Sequence, residues 1–121
     1  LHEAGGNNGF YYQVRDLVEQ GSVPDAIFCT SDPKAFVVMH ALHDLGLRMP
    51  EDVAVIGVDN VSMASMVEPP LSTISQHLHD MGVAAAKSLI RQIEYKDKYG
   101  QLPKPQRTIM NSDLIVRRST N

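Results

Sequence analysis

The stretch Gly46-Leu47-Arg48-Met49-Pro50-Glu51-Asp52-Val53-Ala54-Val55-Ile56-Gly57-Val58-Asp59-Asn60 contains one structural element together with both of its boundaries. Pro50, Glu51 and Asp52 make a turn, since proline presets φ and Asp side chains hydrogen-bond nearby backbone. Val53 to Val58 is a short run rich in β-branched residues, which predicts a buried strand rather than a helix. Asp59 and Asn60 end it. Upstream, Gly46 is the residue type that closes a helix, because it enters the left-handed region without steric cost.

Working outward, Pro33 to Leu45 carries Ala35, Val38, Met39, Leu42 and Leu45 on one helical face. Asp32 precedes it in the capping position, and Pro at the first helical position loses no needed hydrogen bond. Before that lies Ala26-Ile27-Phe28-Cys29, a second short buried strand, and before it a helix from Asn7 to Gln20, closed by Gly21. Downstream, a short helix is predicted from Ser62 to Val67, because Glu68-Pro69-Pro70 cannot continue one. Leu71 to Ser75 follows as a strand. A long helix from His77 to Tyr95 bears the stripe Leu78, Gly82, Ala85, Leu89 and Ile93. Asp97 to Pro105 reads as a polar loop, and Arg107 to Arg118 as one or two closing strands.

Helices alternating with short buried strands predict an α/β layered fold with a largely parallel sheet. The chain enters on a helix, so its own sheet is thin. Preceding βα units are therefore expected before Leu1, and the first residue, Leu rather than Met, reads as the start of an excised piece. Uncovered sheet edges predict that the isolated piece associates.

Composition narrows the function. The chain has 121 residues, 43% hydrophobic and 21% charged, enough for a packed core. Aromatics are few and Trp is absent, a palette that suits strands covered on both faces. The net charge is −3, and the nearest approach to a basic patch is Arg117-Arg118, so this stretch alone is not expected to grip DNA. The single cysteine, Cys29, sits in an apolar strand where a thiol behaves as an inert hydrophobe. No apolar run is long enough to cross a bilayer. His77 and His79 alternate, but no Cys/His spacing fits a metal site, and surface or hinge positions account for them. No nucleophile elbow, P-loop or dinucleotide fingerprint is present, so neither catalysis nor a cofactor is expected.

In parallel sheets ligands sit outside the carboxyl ends of strands. Two places qualify here, Thr30-Ser31-Asp32 and Asp59-Asn60. A carboxylate at Asp59 can accept two hydroxyl hydrogens from a sugar or a donor pair from a purine; the alternative is that it caps the following short helix. Ser31 can donate and accept, or can serve only as a turn residue before Asp32. Asp32 itself reads as a structural cap. Asn7 and Asn8 can bond polyols or cap the first helix.

Four segments, in order, resemble the LacI/GalR family of bacterial transcriptional regulators. They are Pro24-Asp25-Ala26-Ile27-Phe28-Cys29-Thr30-Ser31-Asp32, the Gly46 to Asn60 stretch, Pro69-Pro70-Leu71-Ser72-Thr73-Ile74-Ser75-Gln76, and Leu114-Ile115-Val116-Arg117-Arg118-Ser119-Thr120. The resemblance implies the periplasmic-binding-protein-like type I fold, with two doubly wound α/β lobes and the effector between them. It assigns residues 1–71 to the C-terminal lobe, places the helix of residues 77–97 in the N-terminal lobe, and makes residues 105–121 closing strands and tail. It also implies effector contacts from Asp59 and Ser31, with weaker claims for Asn60 and Asn7. A homodimer through Phe36, His40, Met63 and Val67 is implied too, although Phe36 and His40 would otherwise pass as core cover.

Operator DNA would be reached only through an N-terminal headpiece outside this chain, in a cytoplasmic protein with no membrane contact. Where family members often carry an aromatic residue, this chain has Ala4-Gly5-Gly6-Asn7-Asn8, which leaves the effector open between sugar and other metabolites. The rivals are a periplasmic solute-binding protein of the same fold and an α/β enzyme using Asp59.

Overall fold

In the computed structural model, which describes residues 8–121, the chain forms α1 (Asn8–Glu19), β1 (Ala26–Phe28), α2 (Asp32–Asp44) and β2 (Ala54–Val58). A 3₁₀ turn at Ser62–Ser65 follows, then β3 (Ser72–Ser75), α3 (Leu78–Tyr99) and β4 (Asp113–Ile115). The four strands make one sheet in the order β1-β2-β3-β4. The first three are parallel and β4 runs antiparallel to β3. This is the largely parallel α/β arrangement that the alternation of elements predicts. The chain divides into two compact units: one runs to Ser75 and resumes at Asp113–Asn121, and the other is Gln76–Ser112.

In the first unit the core follows from two periodicities. On α2, Ala35, Val38, Met39 and Leu42 recur at helical spacing and all are buried. On β2, Val55 and Gly57 alternate inward, with Val53 and Leu71 completing the layer. Leu42 and Leu71 are wholly buried, each contributing about 1.5–3 kcal/mol of transfer free energy. Gly46 takes φ 74 just beyond α2, as its place at the helix end requires. The remaining β2 residues are only half-covered, so the two-sided cover suggested by composition is not reached within this unit.

The tail after β4 wedges between β2 and β3 where their pairing has not yet begun. Ser119 donates its N–H to the Pro70 carbonyl, and its own carbonyl accepts the N–H of Val55. Its hydroxyl donates to the Val55 carbonyl at 2.6 Å and accepts from the Ser72 N–H at 2.8 Å. Ser119 is fully buried with every polar group used, so this serine stitches three segments at no desolvation cost.

Two local expectations are corrected. The second unit's helix α3 runs on to Tyr99, where a polar loop was expected from Asp97. Polarity alone does not break a helix: the Glu94 to Lys98 run holds no Gly or Pro, and Lys96 and Lys98 suit the negative helix end. Gly100, at φ 73, is the actual stop. The short helix expected to Val67 is a single 3₁₀ turn. Of the one or two closing strands, one forms. On α3 no residue is buried, and Leu78, Leu89, Ile90 and Ile93 are exposed.

Candidate functional site

The parallel register sets Phe28 beside Ile56 and Val58 beside Ile74, so the carboxyl ends of β1 and β2 open on the same edge of the sheet. Ser31 follows the first of these ends and Asp59-Asn60 the second. Ser31 occupies the N-cap position of α2 in an extended conformation, but its side chain makes no capping hydrogen bond. The hydroxyl of its neighbour Thr30 accepts from Lys34 at 2.9 Å.

Asp59 and Asn60 are both left-handed, with φ 108 and φ 52. Such conformations cost roughly 1–3 kcal/mol for residues with a Cβ and persist only where the surroundings hold them. Here three consecutive N–H groups are tied down. Asp59 donates to the Ile74 carbonyl at 2.8 Å, Asn60 to the Thr73 hydroxyl at 3.3 Å and Val61 to the Asp32 carboxylate at 2.9 Å. Both Asp59 and Asn60 are half-buried.

Asp32 corrects the capping expectation. It is wholly buried, and its carboxylate bridges Thr73 and Val61 instead of closing its own helix. Gly57 makes room for it: a Cβ at that position would overlap Asp32 Oδ1 and lie 3.1 Å from Leu71 Cδ2. Arg117, of the Arg117-Arg118 pair, also reaches this turn. Its guanidinium donates to Asn60 Oδ1 at 2.8 Å and to the Leu71 carbonyl at 2.7 Å. Neither partner is local, so no spacing rule would have found them. Asn7 lies outside the described residues.

The residues expected at a dimer contact fall partly together. Phe36, His40 and Val67 line one surface groove of about 240 Å3 with Met39, His43 and Glu68. Met63 does not line it but is 56% exposed on the 3₁₀ turn, and Met66 is 78% exposed. Beside the groove, Tyr11 donates its phenol to Asp44 at 2.8 Å. That bond holds the Asp44 carboxyl below its ordinary range and pushes the Tyr11 phenol up. Burial pushes the Cys29 thiol up to about 11, so the inert reading of this cysteine stands.

The strained Asp59-Asn60 turn lies at the carboxyl edge of the parallel strands, the edge at which ligands sit in such sheets, and comparison with known proteins gives the chain a family. Residues 2–120 match the family described as periplasmic binding protein-like domain. The chain belongs to that family.

Within the periplasmic binding protein-like domain family the similar proteins are regulators of the LacI type. The chain is 36% identical over 110 residues to the HTH-type transcriptional repressor PurR of Actinobacillus pleuropneumoniae serotype 3 (strain JL03), covering 90% of this chain and 32% of that protein. Among solved structures it is similar to a CelR transcriptional regulator in complex with cellobiose. The TM-score there is 0.80 and the identity 31%, over 93% of this chain and 33% of that one. It is similar as well to a lac repressor dimer bound to operator and an anti-inducer, with TM-score 0.77 and 27% identity over 92% of this chain and 32% of that one. The chain thus spans about a third of the length of the curated relatives it matches.

Among the described residues no group of His, Cys, Asp and Glu converges as a metal site. No described helix is long and apolar enough to cross a membrane. The second unit holds a cavity of its own, about 440 Å3, lined by Gln76, Met81, Ser88, Gln106 and Met110 among others, and none of the expected site residues lines it.

Proposed function

We propose that this chain is the effector-sensing and dimerisation portion of a LacI/GalR-type transcriptional regulator, binding a small polar metabolite of the sugar or related class at the Asp59 turn. The observation that carries the reading is the pair of left-handed residues at the end of β2, whose N–H groups donate to Ile74 and Thr73, whose neighbour Val61 donates to Asp32, and whose Asn60 oxygen accepts from Arg117. Strain held by this many ties presents a carboxylate in a fixed pose, which lowers the cost of ordering a binding group. Asp59 accepts the hydroxyls of the ligand. Ser31, on the neighbouring strand end, supplies a second hydroxyl contact. Asn60 has its oxygen committed to Arg117, so its amide NH2 is what it offers to a ligand. The amide of Asn7 is a weaker candidate for the same role.

The groove of Phe36, His40 and Val67, with Met63 nearby, is the homodimer surface. Aromatic and Met side chains are favoured at the centres of such contacts. The relatives are repressors and regulators, which favours this reading over a periplasmic solute binder, and binding over turnover. Effector binding at Asp59 is coupled through the dimer to an N-terminal helix-turn-helix that meets operator DNA in the cytoplasm. The direct test is operator binding by the full-length protein, headpiece included, with cellobiose, a pentose and a purine base added in turn. One of them should shift operator affinity in the wild type and fail to shift it in Asp59→Asn; an operator affinity that none of them changes would contradict the reading.

A further inference from the structure

We propose that Arg117 is the positioning residue of the Asp59-Asn60 turn, so that the C-terminal tail sets the pose in which Asp59 meets its ligand. The ligand part of this statement rests on the function proposed above.

The base from which Arg117 reaches is fixed. Its N–H donates to the Ser72 hydroxyl at 2.7 Å, and that hydroxyl donates back to the Arg117 carbonyl at 2.9 Å. Ser72 is itself fully buried, and its hydroxyl also meets that of Thr120 at 2.6 Å. Two residues on, Ser119 is locked between β2 and β3. The guanidinium therefore leaves a backbone that has little freedom to shift.

Its two ends serve different segments. One nitrogen holds the Leu71 carbonyl at the mouth of β3, and the other holds Asn60 Oδ1 in the turn. A planar fork with several donors suits two acceptors on separate segments, whereas an ammonium is a single point of charge. The other ties on the turn, from Ile74, Thr73 and Asp32, all grip backbone N–H groups. Arg117 grips a side chain, that of Asn60, which sits at φ 52 directly after the φ 108 residue Asp59. Holding the Asn60 side chain fixes the rotation of the turn, and with it the direction in which the Asp59 carboxylate is offered.

The test is amide hydrogen exchange across residues 58–62 in the full chain, read as a mutant cycle. Asn60→Gly removes the acceptor while keeping a residue that tolerates positive φ. Asn60→Asp keeps an acceptor and adds charge. In the wild type, Arg117→Met should speed exchange of the turn by roughly tenfold, the scale of one charge-assisted hydrogen bond. In the Asn60→Gly background the same change should add nothing at the turn. With Arg117 present, Asn60→Asp should slow the turn's exchange.

A purely structural Arg117 would raise exchange across the sheet to the same extent in both backgrounds, and that result overturns the proposal. Should Arg117→Met fail to fold, Asn60→Asp decides, and unchanged exchange there overturns it. The two readings fail differently. If positioning is wrong but the ligand site is right, the cycle is flat while Asp59→Asn still loses ligand. If the ligand site is wrong, the cycle holds while Asp59→Asn binds cellobiose, a pentose and a purine base as the wild type does.

Discussion

Thr73 donates its hydroxyl to Asp32 Oδ1 at 2.6 Å, and both side chains are fully shut from solvent. The second carboxylate oxygen takes the N–H of Val61 at 2.9 Å. One buried acid therefore joins the start of α2, the middle of β3 and the far side of the Asp59 turn. The positive end of α2 favours a negative charge at its first residue, which offsets part of the cost of burial.

Asp32→Ala should be strongly destabilising, because it strands the buried Thr73 hydroxyl and the half-buried Val61 N–H. A loss of about 2–5 kcal/mol is expected, at about 1–3 kcal/mol for each donor left without its acceptor. Thr73→Val keeps the shape and the Val61 bond to Asp32 while removing one donor to the carboxylate and the long 3.3 Å acceptor of the Asn60 N–H, and it should cost less. Urea unfolding followed by circular dichroism would check the order; equal and small losses would show that the bridge contributes little.

Gly57→Ala probes the same contact from the other side. The added methyl would meet Asp32 Oδ1 and crowd Leu71, so a loss of about 1–3 kcal/mol is expected from overpacking. Gly82→Ala on α3 is the control, since a Cβ there meets nothing within 4 Å and replaces glycine in a helix. It should be neutral or slightly stabilising in the same unfolding assay.

Acid should reveal the Arg48–Asp52 clasp. Arg48 donates its N–H and Nε to one Asp52 oxygen at 2.8 and 2.9 Å, and Nη2 to the other at 2.8 Å. The side-chain bonds, then the backbone bond, pull the Asp52 carboxyl down to about 2. A depressed acid contributes stability that is complete above the ordinary Asp value, about 3.9, and is lost as pH falls toward the folded value. Between about pH 4 and pH 2 the wild type should therefore lose stability more steeply than Asp52→Asn. Parallel acid-unfolding curves for the two proteins would refute the clasp.

Phe36→Glu places a charge in the groove shared with His40 and Val67. If this groove is the homodimer surface, the variant full chain should sediment as a monomer at concentrations where the wild type is a dimer. A variant that stays dimeric would move the interface elsewhere.

The sequence displays local order well and distant partners poorly. The strand at Val53 to Val58 and the helix ending at Gly46 were legible because alternation, helical spacing and glycine punctuation are local signals. The end of α3 was misread because a polar run was taken for a breaker, when the break waited for Gly100. Asp32 looked like a cap because Asp-Pro before a helix has that form; its real partners lie at Thr73 and Val61, beyond the reach of spacing. The same holds for Arg117, whose acceptor Asn60 lies 57 residues away. Asp59 was legible as a strand-end carboxylate, but its backbone strain was not, since no residue pattern specifies φ 108 for an Asp.

The most direct test of the account is calorimetric titration of the full chain with cellobiose, a pentose and a purine base, wild type against Asp59→Asn. The account predicts that one of these binds the wild type and that the variant, folded and of unchanged melting behaviour, binds it at least about tenfold more weakly, the loss of one charge-assisted hydrogen-bonding group. Equal affinity in the two proteins would contradict the assignment of Asp59 as the effector-binding carboxylate.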